Sequence, residues 1–127
     1  MTVLNRSVLV VDDHAIIAEL WCIHMQMMGL EVCGTAATAD EALSLAEQHR
    51  PAVVLMDMRL RGEKDGVDAA LAIHASVGSR MIFITGSQEP ETMARIALDH
   101  PAAILIKPVA DHLLKAAVIE ALGGLNA

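Results

Sequence analysis

The sequence is poor in basic side chains and has no long apolar run, and both scarcities narrow its range of partners. Nine Lys and Arg stand against sixteen Asp and Glu, giving a formal net charge of −7. Non-specific binding to nucleic acid needs clustered basic residues, so we expect no nucleic-acid partner. No apolar run approaches the roughly 20 residues of a membrane span, and the opening segment MTVLNRS lacks the apolar stretch of a signal peptide. We therefore expect a cytoplasmic protein without a membrane partner.

Cysteines are also few, and their positions argue against a zinc site. Cys22 and Cys33 lie in apolar surroundings without metal-type spacing, and the six histidines are scattered. Both thiols are expected to be reduced and inert. The length of 127 residues, with 54% apolar and 20% charged residues, fits one folded core. We expect a single domain over residues 1–127 and no output domain.

Short apolar segments alternate with helical patterns along the chain. The segments VLVV at 8–11, VVLM at 53–56, MIFIT at 81–85 and AILI at 103–106 predict strands buried on both faces, and EVCGTA at 31–36 is a weaker fifth candidate. Helical patterns cover 15–28, 39–49, 67–76, 90–99 and 110–122. This alternation predicts an α/β fold with a doubly wound, five-stranded parallel sheet and helices on both faces.

Polar residues follow the predicted strands at their carboxyl ends, where open α/β sheets gather functional groups. Asp12 and Asp13 follow the first strand, Asp57 ends the third, Thr85 ends the fourth and Lys107 follows the fifth. Three carboxylates, a hydroxyl and an ammonium are therefore expected at one edge of the sheet.

Three crowded carboxylates require a proton or a cation to offset their charge. Two ionised carboxylates about 4 Å apart repel by roughly 4 kcal/mol at an effective dielectric constant near 20. Their hard oxygen ligands suit Mg²⁺, and Lys107 and Thr85 suit an anion beside that metal. We therefore predict that Asp57 attacks phosphorus and carries an aspartyl phosphate. The paired acids Asp12 and Asp13 are better placed to hold the metal.

Each of these residues also has a simpler structural explanation. Asp12, Asp13 and Asp57 could be solvated strand-end charges or caps. Thr85 could belong to an ordinary turn, and Lys107 could be a surface ammonium. Their joint occurrence at successive strand ends, in this order, favours the phosphoacceptor hypothesis.

Four segments together resemble the receiver domains of two-component response regulators. They are VLVVDD at 8–13, VLMD at 54–57, IFITG at 82–86 and ILIKP at 104–108. The resemblance covers essentially all of the chain and implies the flavodoxin-like (βα)5 receiver fold. It also implies signalling through protein contacts, with a histidine kinase or histidine phosphotransfer protein as phosphodonor. The downstream partner is not indicated.

The resemblance implies a role for each matching residue. Asp57 would accept the phosphoryl group, and Asp13 and Asp57 would bind Mg²⁺ directly. Asp12 would bind the metal through water, and the backbone carbonyl of Arg59 would complete the protein ligands. Lys107 would bind a phosphoryl oxygen.

Further expectations concern the switch region of the resembled family. Thr85 would move towards the phosphate, and the bond from Lys107 to Pro108 would be cis. Three positions before the lysine, where receivers usually carry an aromatic switch residue, this sequence has Ile104. The usual coupling of threonine and aromatic rotamers is therefore not expected.

The segment after Asp57, MRLRGEKDGVDAA, lacks the familiar Met-Pro step and is one residue longer before Gly66. Together with IFITG, this segment resembles a subgroup of mostly single-domain receivers named for a Phe-Ala-Thr-Gly motif. In this chain, Ile84 stands where that motif has alanine. Members of that subgroup act in stress-response phosphorelays.

The first predicted helix has apolar residues on two faces. Spacings of three and four place one apolar set towards the sheet and a second set on the outside. The set facing the sheet is Ile17, Leu20, Trp21, His24, Met25 and Met28. The outer set is Ile16, Ile23 and Met27. Exposed apolar stripes mark contact surfaces. In the resembled family, this helix and the loop after the fifth strand dock the phosphodonor, so we predict a partner surface at Ile16, Ile23 and Met27.

Two alternatives remain open at this point. One is a pseudo-receiver that regulates a partner without phosphorylation, although such a module has no need for the acid set. The other is a metal-dependent phosphatase with an aspartyl nucleophile. That class generally places a second acid two residues after the nucleophile, where this chain has Arg59 after Asp57. We therefore expect no enzyme beyond self-catalysed phosphorylation and dephosphorylation.

Overall fold

Strands and helices alternate throughout the computed structural model, which describes residues 5–123. The strands are Ser7–Val11 (β1), Glu31–Ala36 (β2), Val53–Asp57 (β3), Arg80–Thr85 (β4) and Ala103–Ile106 (β5). The helices are Ala15–Met27 (α1), Ala39–His49 (α2), Gly66–Ser76 (α3), Pro90–Ala97 (α4) and Asp111–Ala121 (α5). Within the described residues, no helix combines the length and apolar character needed to cross a membrane.

The strands form one parallel sheet in the order β2-β1-β3-β4-β5. This confirms the predicted doubly wound α/β fold, including the weaker strand candidate EVCGTA. From β1 the chain crosses to β2 on one side, and all later strands are added on the other side of β1. The loops after β1 and β3 therefore leave in opposite directions, which opens a crevice at the carboxyl ends of these two strands.

Two apolar layers cover the sheet. Helices α2, α3 and α4 pack on one face, and α1 and α5 pack on the other. In β3, Val54 and Met56 point to the first layer, while Val53 and Leu55 point to the second. This alternation explains why β3 is apolar at four consecutive positions: both of its faces are buried.

Local signals fix the helix boundaries close to their predicted positions. The Thr38 hydroxyl accepts a hydrogen bond from the backbone N–H of Glu41 at 3.1 Å and caps α2. Pro90 occupies the first turn of α4, where its missing N–H costs no hydrogen bond. Gly29, with φ of 80°, follows the end of α1. Helix α4 ends at Ala97, two residues earlier than predicted.

The exposed face of α1 contains one residue more than predicted. Ile16, Ile23 and Met27 are 75%, 44% and 74% exposed, as expected, but Leu20 is also 47% exposed. The prediction that Leu20 faces the sheet is wrong. At about 100° per residue, Leu20 lies roughly opposite Ala18, which is buried against the sheet. We refer to Ile16, Leu20, Ile23 and Met27 as the α1 stripe.

Candidate functional site

The sheet brings the predicted site residues to one edge. Strands β1 and β3 pair so that Asp12, the residue after β1, lies beside Asp57 at the end of β3. Strand β4 ends at Thr85, and the backbone N–H of Lys107, just beyond β5, donates to the Thr85 carbonyl oxygen at 2.8 Å. Asp13 follows Asp12 at the mouth of the same crevice.

Asp57 is a buried carboxylate with incomplete charge compensation. Its residue is only 6% exposed, and the Lys107 Nζ lies 3.4 Å from Oδ1. Burial raises the pKa of Asp57, and the neighbouring charge of Asp12 raises it further, while Lys107 and a backbone hydrogen bond from Arg59 oppose this rise only in part. A further cation near Asp57 would favour its ionised form.

The acidic pair provides hard oxygen ligands next to Asp57. One carboxylate oxygen each of Asp12 and Asp13 and a ring nitrogen of His14 lie within 4.8 Å of one another. The Asp12 Oδ1 accepts the backbone N–H of His14 at 2.8 Å, which fixes the buried Asp12 carboxylate at the start of α1. Carboxylate oxygens at a partly open site are the ligands that Mg²⁺ prefers, so this donor set fits the expected metal.

Thr85 and Ile104 are the two residues that the sequence placed in the predicted switch region. The buried Thr85 hydroxyl accepts from the backbone N–H of Ser87 at 3.1 Å and lies 3.3 Å from the Ser87 carbonyl oxygen. Its hydrogen bonds therefore stay within its own turn. Ile104 is partly buried against the layer formed by α2, α3 and α4. The Lys107–Pro108 peptide bond is cis, as expected.

The loop between β3 and α3 is tethered on both sides of the crevice. On one side, the backbone N–H of Arg61 donates to the Ala37 carbonyl oxygen at 3.0 Å, and the Lys64 Nζ lies 2.9 Å from the Asp40 carboxylate. The exposed Arg61 also lines the cleft that contains Asp12 and Asp13. The longer loop after Asp57 is thus held against the start of α2 and the residues just before it.

On its other side the loop ends in a capping box at the start of α3. Asp65 is the N-cap, its side chain accepts from the Asp68 backbone N–H, and the Asp68 side chain accepts from the Asp65 backbone N–H. Arg95 of α4 bonds to both carboxylates. Sequence reasoning missed these three residues. The spacing of Asp65 and Asp68 before an apolar helix was an available signal, but nothing local to Arg95 indicates its partners.

Gly66, the first residue of α3, packs directly on the backbone of the Asp57 region. Its N–H donates to the Met58 carbonyl oxygen at 2.8 Å. A Cβ atom at Gly66 would overlap the Asp57 carbonyl oxygen and lie 3.1 Å from the Met58 Cα. Glycine is therefore required by close backbone approach, and the position of α3 is linked to that of Asp57.

Comparisons with known proteins agree with this geometry. The family model described as "response regulator receiver domain" matches residues 8–119. The transcriptional regulatory protein PdtaR of Mycobacterium tuberculosis is 31% identical over 103 residues, which is 81% of this chain and 50% of that protein. The phyllosphere-induced regulator PhyR of Methylorubrum extorquens is 29% identical over 117 residues, covering 91% of this chain and 43% of the regulator. The chain thus spans about half the length of these curated relatives.

Solved structures match over nearly the whole fold. The signal receiver domain of a modulated diguanylate cyclase from Desulfovibrio desulfuricans G20 is 34% identical, with a TM-score of 0.86 and coverage of 92% of this chain and 93% of that one. A CheY-like receiver domain protein from Methanospirillum hungatei JF-1 is 27% identical, with a TM-score of 0.85 and coverage of 93% and 94%. Both resemblances extend over more than nine tenths of this chain.

Proposed function

Because this chain belongs to the response regulator receiver domain family, we propose that it accepts a phosphoryl group on Asp57 and relays or signals its phosphorylation through protein contacts. Receiver domains act as phosphoacceptors rather than as classical enzymes. They interact with histidine kinases or phosphotransfer proteins. The single observation that supports Asp57 best is its buried carboxylate, 3.4 Å from the Lys107 ammonium and beside Asp12.

The proposed chemistry is an in-line transfer to the Asp57 carboxylate. A carboxylate oxygen of Asp57 forms a bond to phosphorus as the bond between phosphorus and the donor breaks. Lys107 binds a phosphoryl oxygen, and the Thr85 hydroxyl turns from the Ser87 carbonyl to donate to another. Hydrolysis of the resulting acyl phosphate restores Asp57, so the chain catalyses only its own phosphorylation and dephosphorylation.

The metal of this proposal is Mg²⁺, which Asp13, Asp57 and the Arg59 backbone carbonyl would hold directly and Asp12 would hold through water. When bound, Mg²⁺ supplies positive charge that offsets the carboxylates and the phosphoryl oxygens. Asp12 and Asp13 contribute by fixing that charge next to Asp57. The single-domain organisation over residues 1–127 stays a prediction.

Magnesium should stabilise the chain and permit its phosphorylation. We expect wild type to be labelled by phosphoramidate with Mg²⁺ but not with EDTA. Mg²⁺ near 100 times its Kd should stabilise the fold by about 2.7 kcal/mol, which is roughly 10 °C in Tm. Asp13→Asn should weaken both responses, because it removes a charged ligand. Thermal melting and intact-mass spectrometry measure the two effects.

Two outcomes would contradict the proposed metal site or the proposed phosphorylation. If Mg²⁺ leaves the Tm unchanged and labelling proceeds in EDTA, the acidic pair consists of strand-end charges without a metal-binding role. If Mg²⁺ binds but neither a small donor nor a cognate kinase labels the chain, the pseudo-receiver alternative replaces this proposal.

The α1 stripe is the proposed docking surface for the phosphodonor protein. The donor in this test is a histidine kinase or phosphotransfer protein that labels wild type. We expect Met27→Lys to slow transfer from that donor about tenfold, because a charge would replace an apolar contact. Labelling by phosphoramidate should not change, since Met27 is exposed and is the last residue of α1, the helix that starts beside the acidic pair. Initial rates with the two donors separate docking from chemistry.

Leu98→Lys provides the matched control. Leu98 is similarly exposed, at 59%, but it caps α4 on the opposite face of the sheet. Transfer from the protein donor should proceed at the wild-type rate in this variant. Equal slowing by both substitutions would remove the special role of the α1 stripe.

A further inference from the structure

Helix α4 has polar contacts with both loops that flank the phosphoacceptor. At its amino-terminal end, the Thr92 hydroxyl lies 3.3 Å from the Ser87 hydroxyl. Ser87 in turn donates its backbone N–H to Thr85 at 3.1 Å. One helical turn further on, Arg95 reaches the loop that follows Asp57. Helix α4 therefore bridges the Thr85 side and the Asp57 side of the crevice.

The contact of Arg95 with the start of α3 is a fork of three charge-assisted hydrogen bonds. Its Nε lies 2.7 Å from the Asp65 Oδ2, and its Nη2 lies 3.0 Å from the Asp65 Oδ1 and 2.9 Å from the Asp68 Oδ1. All three side chains are partly exposed. A single exposed ion pair stabilises a fold very little. Arg95, however, binds Asp65 through two hydrogen bonds and Asp68 through a third, and this geometry fixes the orientation and distance of its guanidinium relative to α3.

The same two carboxylates form the capping box of α3. Asp65 Oδ1 accepts the Asp68 N–H at 2.9 Å, and Asp68 Oδ2 accepts the Asp65 N–H at 2.9 Å. Burial raises the pKa of Asp65, but the hydrogen bonds from Arg95 and the Asp68 N–H and the charge of Arg95 lower it overall. Asp65 is therefore held in the ionised form that receives Arg95.

The capping box continues directly into the backbone contact with Asp57. Gly66 follows Asp65, donates to the Met58 carbonyl oxygen at 2.8 Å, and leaves no space between α3 and the Asp57 carbonyl. Successive direct contacts thus run from Arg95 through Asp65 and Gly66 to Asp57. These contacts form a continuous path of hydrogen bonds and close backbone packing between α4 and the phosphoacceptor strand.

We propose that Arg95 is a positioning residue that ties α4 to the phosphoacceptor loop, so that the occupancy of Asp57 and the position of α4 bias one another. This inference rests on the proposed function of Asp57. Ile104 has no aromatic ring whose rotamer could change together with that of Thr85. Arg95 provides a different physical link, which joins α4 to the loop after Asp57. Coupling of this kind is reciprocal: a partner that binds α4 also changes the reactivity of Asp57.

The test uses the full chain with phosphoramidate and with beryllofluoride plus Mg²⁺ as probes. In Arg95→Ala we expect the initial rate of phosphorylation to fall about fivefold or more. The beryllofluoride-induced shift of the Ile96 amide signal in NMR spectra should be lost, while those of Thr85, Ser87 and Thr92, which contact one another without Arg95, remain. Arg95→Lys, which retains the charge but not the fork, should restore the rate only in part.

Two further variants separate coupling from general stability. Asp65→Asn keeps a good N-cap but removes the negative charge, so it should reproduce Arg95→Ala, and the double variant should add little. Arg80→Ala removes an equally positive but unrelated exposed side chain at the start of β4. It should behave as wild type at a temperature where all variants are folded.

Different results would refute the role of Arg95 and the proposed function of Asp57. Wild-type rates and a wild-type Ile96 shift in Arg95→Ala would refute the positioning role of Arg95. Additive effects of Arg95→Ala and Asp65→Asn would also refute it, because the two residues would then act independently. Failure of wild type itself to be phosphorylated would instead refute the proposed function.

Discussion

Asp57→Asn is expected to lose Mg²⁺-dependent labelling by phosphoramidate, with the rate reduced by a factor of about 10³ or more. An amide cannot form the acyl phosphate, and its nitrogen replaces the carboxylate oxygen that attacks phosphorus. The variant should nevertheless fold, because asparagine has nearly the same shape in this buried position. Intact-mass spectrometry after a timed reaction measures the loss.

The stability of the same variant provides an internal control. In the folded chain, burial and Asp12 raise the pKa of Asp57, so folding binds protons between the unfolded and folded pKa values. The ionised carboxylate therefore destabilises the metal-free fold above its unfolded pKa, and stability returns as the pH falls. Without Mg²⁺, Asp57→Asn should melt at or above the wild-type Tm near neutral pH, and this advantage should disappear in acid.

Persistent labelling would contradict the assignment of Asp57. Asp12 and Asp13 are the nearest alternative acceptors, so peptide mapping of any residual label identifies which carboxylate reacted. Label on either of them at the wild-type rate would make Asp57 a metal ligand only. Label on neither, together with an intact fold, supports Asp57 as the nucleophile.

Gly66→Ala is expected to cause the largest loss of stability, about 3 kcal/mol, at the upper end for an overpacked position. The added Cβ would overlap the Asp57 carbonyl oxygen and press on the Met58 backbone. Backbone atoms at the end of a buried strand cannot move aside as the end of a flexible side chain can. We expect the Tm to fall by roughly 10 °C, which differential scanning calorimetry would measure.

The same substitution should impair phosphorylation beyond its effect on folding. A shift of about 1 Å at Asp57 can reduce the rate on the order of a hundredfold, because in-line attack depends on geometry. Gly34→Ala is the matched control: its nearest atom would be the Leu45 Cδ1 at 3.3 Å, the end of a flexible side chain. It should change stability by less than about 1 kcal/mol. Equal melting temperatures for the two variants would show that the close approach at Gly66 is unimportant.

Most of the fold was predictable because buried parallel strands leave a strong local pattern. The apolar runs that become β1, β3, β4 and β5 are short and flanked by polar residues, and the polar residues at their ends follow from chain direction alone. Even EVCGTA, with its exposed Glu31 and Thr35, occupies the predicted strand. Leu20 was misplaced because α1 is apolar on both sides, so periodicity could not distinguish its buried face from the α1 stripe.

The residues of the candidate site also differ in whether the sequence alone could identify them. Asp12, Asp57, Thr85 and Lys107 were identifiable because each stands at the end of a strand, and parallel strands align their ends. Their functional roles remain predictions that follow from chemistry and family membership. Arg95 could not be identified, because its contact with Asp65 joins residues 30 positions apart in the chain.

The sequence by itself predicted the parallel sheet and the edge at which its carboxylates and lysine gather, because buried parallel strands have a local apolar pattern and their carboxyl ends meet at one edge. Only the tertiary structure decided that Leu20 is exposed, that Gly66 touches the Asp57 backbone and that Arg95 holds the start of α3. These three outcomes depend on how separate helices pack against the sheet. Packing is set by the shapes of distant surfaces, which no local pattern of residues records.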